Sequence, residues 1–365
     1  MLLSVFCNFA TQIITINLMS LSEIVFPAEW YPQSAVQLTW PHVNTDWCEL
    51  LDEVIPCFIN IAKEISKSQR LIIVTPEIEK VKSQLSDIAL ENISFVEMET
   101  NDTWARDHGP ISVFSDGIPT LYDFTFNGWG MKFAANFDNQ ITSRLVEGDF
   151  FSGDVKYSNQ QNFVLEGGSI ESDGKGTVLT TSECLLSENR NDKSRTEMEE
   201  ILTKLFGLKQ VLWLDHGYLA GDDTDSHIDT LARFCDYQTI VYVKCDDKDD
   251  EHFDALTKME AQLQQFRTID GKPYRLIPLP MANPVYYEGE RIPATYANFL
   301  IINGAVLLPI YNTNKDSEAI LQMKLAFPDR EIIGINCLPL IKQHGSLHCV
   351  TMQFPQGFVH EITHL

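Results

Sequence analysis

Residues 194–214 read "SRTEMEEILTKLFGLKQVLWL", an amphipathic helical pattern that stops at Gly207 and gives way to the apolar, strand-like run "QVLWL". The same order returns along the chain. Residues 46–67, "DWCELLDEVIPCFINIAKEISK", place Trp47, Leu50, Leu51, Val54, Ile55 and Phe58 at helical spacing despite Pro56. "RLIIVTP" follows, and "ISFVEME" comes after the next polar segment. "DEHFDALTKMEAQLQQF" precedes "YRLIPLP", and "SEAILQMKLAFP" precedes "REIIGI". A weaker fifth helix can be placed on "NQITSRLVEGDFF". Helices alternating with short apolar strands predict an α/β protein.

Each predicted strand is followed, some way on, by a polar cluster. The clusters are "WARDHGP" with Asp107, "LEGG" with Glu166, "DTDSHID" with His227, "YANFLIING" with Asn298 and "HGSLHC" with Cys349. Successive members stand 59, 61, 71 and 51 residues apart. A repeat near 60 residues that delivers one polar side chain per unit predicts quasi-repeated units around a shared centre. No linker interrupts the chain, so residues 19–365 are expected to form one domain, preceded by an extension at residues 1–18.

The 365 residues carry a formal charge of −24 with 44% hydrophobic residues. Nucleic acid and anionic membranes both require a basic face, which this balance disfavours, whereas it suits a cationic ligand. The eight cysteines (7, 48, 57, 184, 235, 245, 337 and 349) are scattered and contain no C-x-x-C pair, as expected of a reducing, cytoplasmic setting. The apolar N-terminal stretch has no Lys or Arg before Lys63 and is broken by polar residues. It therefore makes a poor signal peptide and a poor membrane span.

"GDDTDSHID" is rich in carboxylates, but an EF-hand register from Asp223 puts Ile228 at the glycine position and Phe234 at the bidentate carboxylate position. Zinc spacing of the H-E-x-x-H or paired-Cys kind is absent from the sequence. A strand-like H-x-D would instead turn His227 and Asp229 to one face. Glu166 ends an apolar run and is followed by two glycines, which permit close approach of a backbone or ligand. "FNGWG" offers Trp129, either as a packed indole or as an aromatic wall for a cation. Alone, Cys349 is most simply a buried apolar residue. Together, a thiol, a histidine, a glutamate and several aspartates are the parts of a covalent-catalysis site. So many carboxylates would suppress a thiolate unless a cation joined them, and a planar guanidinium suits that role best.

The ordered motifs "PAEWYPQSAVQLTWPH", "WARDHGP", "FNGWG", "LEGGSIESDG", "DDTDSHIDTLARF", "YANFLIING" and "HGSLHCVTMQFP" resemble those of the agmatine and bacterial-type peptidylarginine deiminases. The resemblance covers nearly everything after about residue 23. It implies a pentein fold, an α/β propeller of five ββαβ-like units around a pseudo-fivefold axis with the active site at its centre. It also implies Cys349 as nucleophile, His227 as general acid and base, and Glu166 as the group orienting His227. Asp107 and Asp229 would grip the guanidinium, with Asp223, Trp104, Trp129 and Asn298 completing the substrate site. No metal and no organic cofactor are implied.

The implied reaction is hydrolysis of agmatine to N-carbamoylputrescine and ammonia through an S-amidino-cysteine intermediate. The alternative is a peptidylarginine or other guanidino substrate with the same Cys/His chemistry. Binding an α-carboxylate needs a cation, for which Arg106, Lys132, Arg233 and Arg291 are the candidates; Trp104, Trp129, Asp222, Asp223, Glu288 and Glu290 instead suit a terminal ammonium. The expected partner is a small cationic guanidino compound, and association into a homo-oligomer is compatible with the sequence. A reading of another class is an acid-rich cation-binding protein in which Cys349 has no role.

Overall fold

The computed structural model describes residues 23–360; the expected N-terminal extension, residues 1–18, lies outside the described residues. Ser194 and Glu197 form a capping box that starts the helix Arg195–Phe206, and Gly207, left-handed at φ 65°, ends it. The strand Gln210–Leu214 then runs parallel to Thr177–Thr181, which is antiparallel to Ile170–Ser172. This pattern of hairpin, helix and parallel strand occurs in four other sheets. Ile111–Ser115, Ile118–Thr125 and Lys156–Val164 form one, with the expected weak helix at Ile141–Glu147. Ala232–Asp236, Thr239–Lys244 and Arg275–Pro280 form the next, around the helix Phe253–Gln265. Leu300–Ile302, Ala305–Ile310 and Glu331–Asn336 follow, around Asp316–Ala326. In the last, the two ends of the described chain meet. Thr351–Pro355 pairs antiparallel with Gln33–Thr39, which is parallel to Arg70–Thr75 across the helix Leu51–Ser66.

These sheets explain the polar repeat. Asp107 precedes the strand at Ile111, Glu166 that at Ile170, His227 that at Ala232, Asn298 that at Leu300 and Cys349 that at Thr351. Each cluster is thus the entry turn of the strand that follows it, rather than a tail of the strand before. One expectation is corrected here. His227 and Asp229 do not lie on a strand, because Ile228–Thr230 is a 3-10 turn with His227 at its N-terminus. Their shared orientation comes from that turn.

Apolar faces of the helices cover the sheets, with Trp40, Trp47, Phe58, Phe234, Phe299 and Phe354 fully buried. Within this core lies a charged group that ties the sheets together. Arg233, with no exposed surface, donates through Nε to Glu171 Oε2 (2.7 Å), through Nη2 to Glu29 Oε2 (2.8 Å) and through Nη1 to the Phe299 carbonyl (2.6 Å). Its guanidinium also lies over the Phe299 ring, 4.5 Å from the centroid. Glu29 Oε1 accepts from the Ile301 amide at 2.7 Å. Burial pushes the Glu29 carboxyl up, but the charges of Arg233, His348 and Arg106 outweigh it and hold Glu29 well below the usual carboxylate range. Among the described residues no helix is long and apolar enough to cross a membrane.

Removing one member of such a cluster strands the others without water. Arg233→Met should lower stability by about 3–5 kcal/mol in urea titrations. Because the Glu29 pKa is depressed, its stabilising contribution is present above about 4.5, its ordinary value, and is lost as pH falls below that. Glu29→Gln should therefore flatten the acid limb of the stability profile.

Candidate active site

The turn at 104–108 buries Asp107, and two neighbours fix its carboxylate. Trp129 Nε1 donates to Oδ2 and the Gly168 amide to Oδ1, both at 2.9 Å. Trp129 reaches this place through an unusual backbone. Gly128, Trp129, Gly130 and Met131 all have positive φ (64°, 53°, 89° and 70°), and only the glycines adopt this without strain. "FNGWG" is therefore a left-handed turn that aims an indole N–H at a carboxylate. Gly168 has a different reason to be glycine. A Cβ there would lie 2.6 Å from His227 Nδ1, 2.9 Å from Asp107 Oδ1 and 3.2 Å from Asp229 Oδ2. Three functional side chains thus converge on one glycine.

Asp229 is held from behind. Its Oδ2 accepts from His348 Nδ1 at 2.7 Å, and His348 Nε2 lies 2.6 Å from Glu29 Oε2. Ionised carboxylate oxygens only accept, so a doubly protonated ring would satisfy both contacts at once. Burial, with Arg106 and Arg233, pulls the His348 pKa below its ordinary value against the opposing pull of Glu29 and Asp229. Burial pushes Asp229 up as well, yet its hydrogen bond and charge interaction with His348 leave it below the usual carboxylate range. Its other oxygen, Oδ1, is buried with no hydrogen-bond partner among the described residues. An ionised carboxylate with a free buried oxygen is prepared for a cationic donor.

Asn298 governs the thiol loop. Its Oδ1 accepts from the amides of His348 (2.9 Å) and Cys349 (3.3 Å) and stands 3.4 Å from Cys349 Sγ. The Arg106 amide donates to the Cys349 carbonyl at 3.1 Å. Burial pushes the Cys349 thiol well above its ordinary value, and the nearby Asp229 and Asp107 push it further. His227 is wholly buried, and neither ring nitrogen has a hydrogen-bond partner among the described residues; Nδ1 lies 3.8 Å from Asp107 Oδ1. Burial lowers its pKa to about 3, with Arg190 and Lys132 assisting against Asp229 and Asp225. Glu166 lies beside His227. Its hydrogen bonds, however, go to Arg190 Nε, at 3.0 Å from each carboxylate oxygen.

Cys349, Asp107, Trp104, Trp129 and Asp223 line one pocket, with Asp46, Asp102, Phe133, Thr224, Gln343, His344 and Gly345. Gly345 lies flat against the Trp104 ring, where a Cβ would meet Cζ3 at 2.1 Å. Asp223 is presented by a loop wound around Asp222, which accepts from Thr224 Oγ1 (2.6 Å) and the Ser226 amide (2.7 Å). Asp222 is therefore internal to the loop and not part of the wall. Glu288 and Glu290 also fall outside the lining, since both belong to the hairpin around Val285–Tyr287 and Glu290–Ile292. The four basic candidates are occupied elsewhere. Arg106 and Arg233 serve the buried cluster, Lys132 binds Asp225 and the Asp223 carbonyl, and Arg291 pairs with Asp250 and Glu251.

Glu29, Arg190 and the clamp made by His348 were not assigned by the sequence. Glu29 does lie in the quoted "PAEW", and His348 adjoins the thiol, but their partners are hundreds of residues away. Arg190 stands alone in a polar loop and carries no local signal.

The chain that carries this arrangement of a buried thiol, a histidine and aspartates has known relatives. Residues 25–355 match the Porphyromonas-type peptidyl-arginine deiminase family, and the chain belongs to it. A crystal structure from Porphyromonas gingivalis, described provisionally as an arginine deiminase, is 56% identical with a TM-score of 0.89, covering 92% of this chain and 100% of that one. The agmatine deiminase of C. jejuni with substrate bound is 38% identical with a TM-score of 0.86, covering 92% and 97%. The agmatine deiminase of Stutzerimonas stutzeri is 30% identical over 91% of this chain and 96% of its own.

Two measurements probe this geometry. With its thiol pKa raised, Cys349 should react with uncharged iodoacetamide at a rate that climbs with pH and does not level off at or below 9, the ordinary thiol value, as followed by peptide mass spectrometry. Trp129→Phe keeps an aromatic ring but removes the donor to Asp107. It should lower kcat/KM about 10- to 100-fold, since a hydrogen bond to a charged group is worth roughly 1.5–3 kcal/mol.

Proposed function

We propose that the protein hydrolyses agmatine to N-carbamoylputrescine and ammonia, an amidine C–N cleavage that proceeds through Cys349. The observation that carries this reading is the composition of the thiol pocket. Its lining holds four aspartates (46, 102, 107 and 223) and two tryptophans, and neither lysine nor arginine is among the lining residues. A guanidinium at one end and an ammonium at the other match such a wall, whereas an α-carboxylate finds no counter-charge there. The agmatine deiminases among its relatives support the same substrate.

Asp107 and the free oxygen of Asp229 would take the guanidinium, which offsets the cost of burying both carboxylates. That positive charge removes the penalty on the Cys349 thiolate. The Cys349 thiol passes its proton to the free lone pair of His227, and the resulting thiolate attacks the guanidinium carbon, forming a C–S bond. His227, next to Asp107 and with both nitrogens free, hands a proton to the departing nitrogen, and ammonia leaves an S-amidino-cysteine. The neutral ring then takes a proton from water. Hydroxide adds to the same carbon, the C–S bond breaks with the proton on His227 returning to the leaving sulfur, the adduct's hydroxyl proton passes to the released ammonia, and the ureido product departs. Glu166, paired with Arg190, would set the field around His227 and orient it through that packing. Asn298 would position the thiol, while Trp104, Trp129 and Asp223 shape the substrate channel.

The five sheets sharing one hairpin–helix–strand pattern support a propeller of five ββαβ-like units about a pseudo-fivefold axis, with the site at the centre. We read residues 19–365 as that single domain. The seven free cysteines among the described residues favour a cytoplasmic setting. A second reading, deimination of peptidylarginine with the same chemistry, is favoured by the family to which the chain belongs.

Ammonia release should be measured side by side from agmatine, free arginine and an arginyl peptide. Agmatine should be turned over fastest, and Cys349→Ser should release no ammonia. Faster release from the peptide would move the assignment to the second reading, and no release from any of the three would refute the enzyme reading.

A further inference from the structure

A second thiol, which the proposed reaction does not use, lies beside the acid–base histidine. Cys184, in the short turn Ser182–Leu185, is fully buried, as are Glu166 and His227. One donor atom from each of the three lies within 4.8 Å of the other two. Independently, both ring nitrogens of His227 are buried and unpartnered among the described residues, so a neutral ring has a lone pair available to the group. We propose that Cys184 Sγ, His227 and Glu166 form an inhibitory site for a thiophilic divalent cation of the zinc type, separate from the nucleophile Cys349.

The donor set of sulfur, nitrogen and carboxylate oxygen is that of zinc and cobalt rather than of calcium or magnesium. Metal–ligand bonds of about 2.0–2.3 Å would require the donors to close by roughly 1 Å. Arg190 does not forbid this. Its Nε engages both Glu166 oxygens, but each oxygen keeps a further lone pair. Its other nitrogens stay compensated by Asp225 Oδ2 (2.6 Å) and the Thr224 carbonyl (2.8 Å). On binding, the Cys184 thiol releases its proton to solvent as the metal–sulfur bond forms, and no electron is transferred. The site itself is independent of the deiminase reading. Only its inhibitory consequence rests on that reading, because a metal-bound His227 nitrogen can no longer accept or deliver the catalytic proton.

Cobalt(II) is the probe, since a thiolate-to-cobalt charge-transfer band reports sulfur coordination without any turnover. Titration should produce the band in the wild type and in Cys349→Ser, and not in Cys184→Ala. Cys184→Ser, which keeps the side-chain volume, takes the place of alanine if alanine lowers the melting temperature. The zinc concentration that halves ammonia release should rise at least about tenfold in the Cys184 variant, the lower end of what a lost outer-shell partner costs a metal site. A band that survives in the Cys184 variant, disappears in Cys349→Ser, or never forms in the wild type would overturn the proposal. A band that tracks Cys184 in a protein releasing no ammonia would leave the metal site standing while refuting the deiminase.

Discussion

The buried chain from Arg233 through Glu29 and His348 to Asp229 is the constraint on which the rest of the molecule depends. Arg233 comes from one sheet, Glu29 from the N-terminal segment and His348 from the thiol loop, so the fold and the site share the same salt bridges. A cluster of this kind is tolerated in a dry interior only when nearly every charge has its partner. Among the described residues the cluster atoms left without a hydrogen-bond partner are Arg106 Nη2, Glu171 Oε1 and Asp229 Oδ1, and of these the Asp229 carboxylate converges with Asp107 and His227 on Gly168. At Asp229 the ionic core reaches the candidate site with a carboxylate oxygen unpaired among the described residues.

That deficit organises the electrostatics. Asp107 is held well above its ordinary pKa by burial and by its neighbours Asp229 and Glu166, and Cys349 is raised for related reasons. A cation placed among them relieves all of these penalties together. In the proposed reaction the thiol would then be activated by the compound it attacks, which would restrain reaction with other electrophiles. Two tryptophans pack edge to face beside Asp107, and a left-handed turn aims the indole N–H of one of them at its carboxylate.

Much of the fold was legible from periodicity. The helices at 51–66, 195–206, 253–265 and 316–326 and the strands that follow them lie where the apolar spacing placed them, since each buries one face locally. The polar repeat was legible too, but its meaning was not. The clusters had been tied to the strands before them, whereas each belongs to the hairpin that follows. The strand geometry inferred for His227 and Asp229 also failed, because two polar side chains can share a face in a 3-10 turn as readily as in a strand.

The sequence by itself determined the order of the elements, the residue types able to act on a guanidinium and, through the resemblance of its motifs, the deiminase chemistry to expect of them. Only the tertiary structure decided which groups are partnered and which are free. Arg106 and Arg233 could have met a substrate carboxylate, and they are instead consumed by the core. His348 was a bystander to the thiol in sequence and is the clamp on Asp229 in space. The physical reason is that charge pairing in a low-dielectric interior is settled by distance between segments hundreds of residues apart, on which local pattern carries no information.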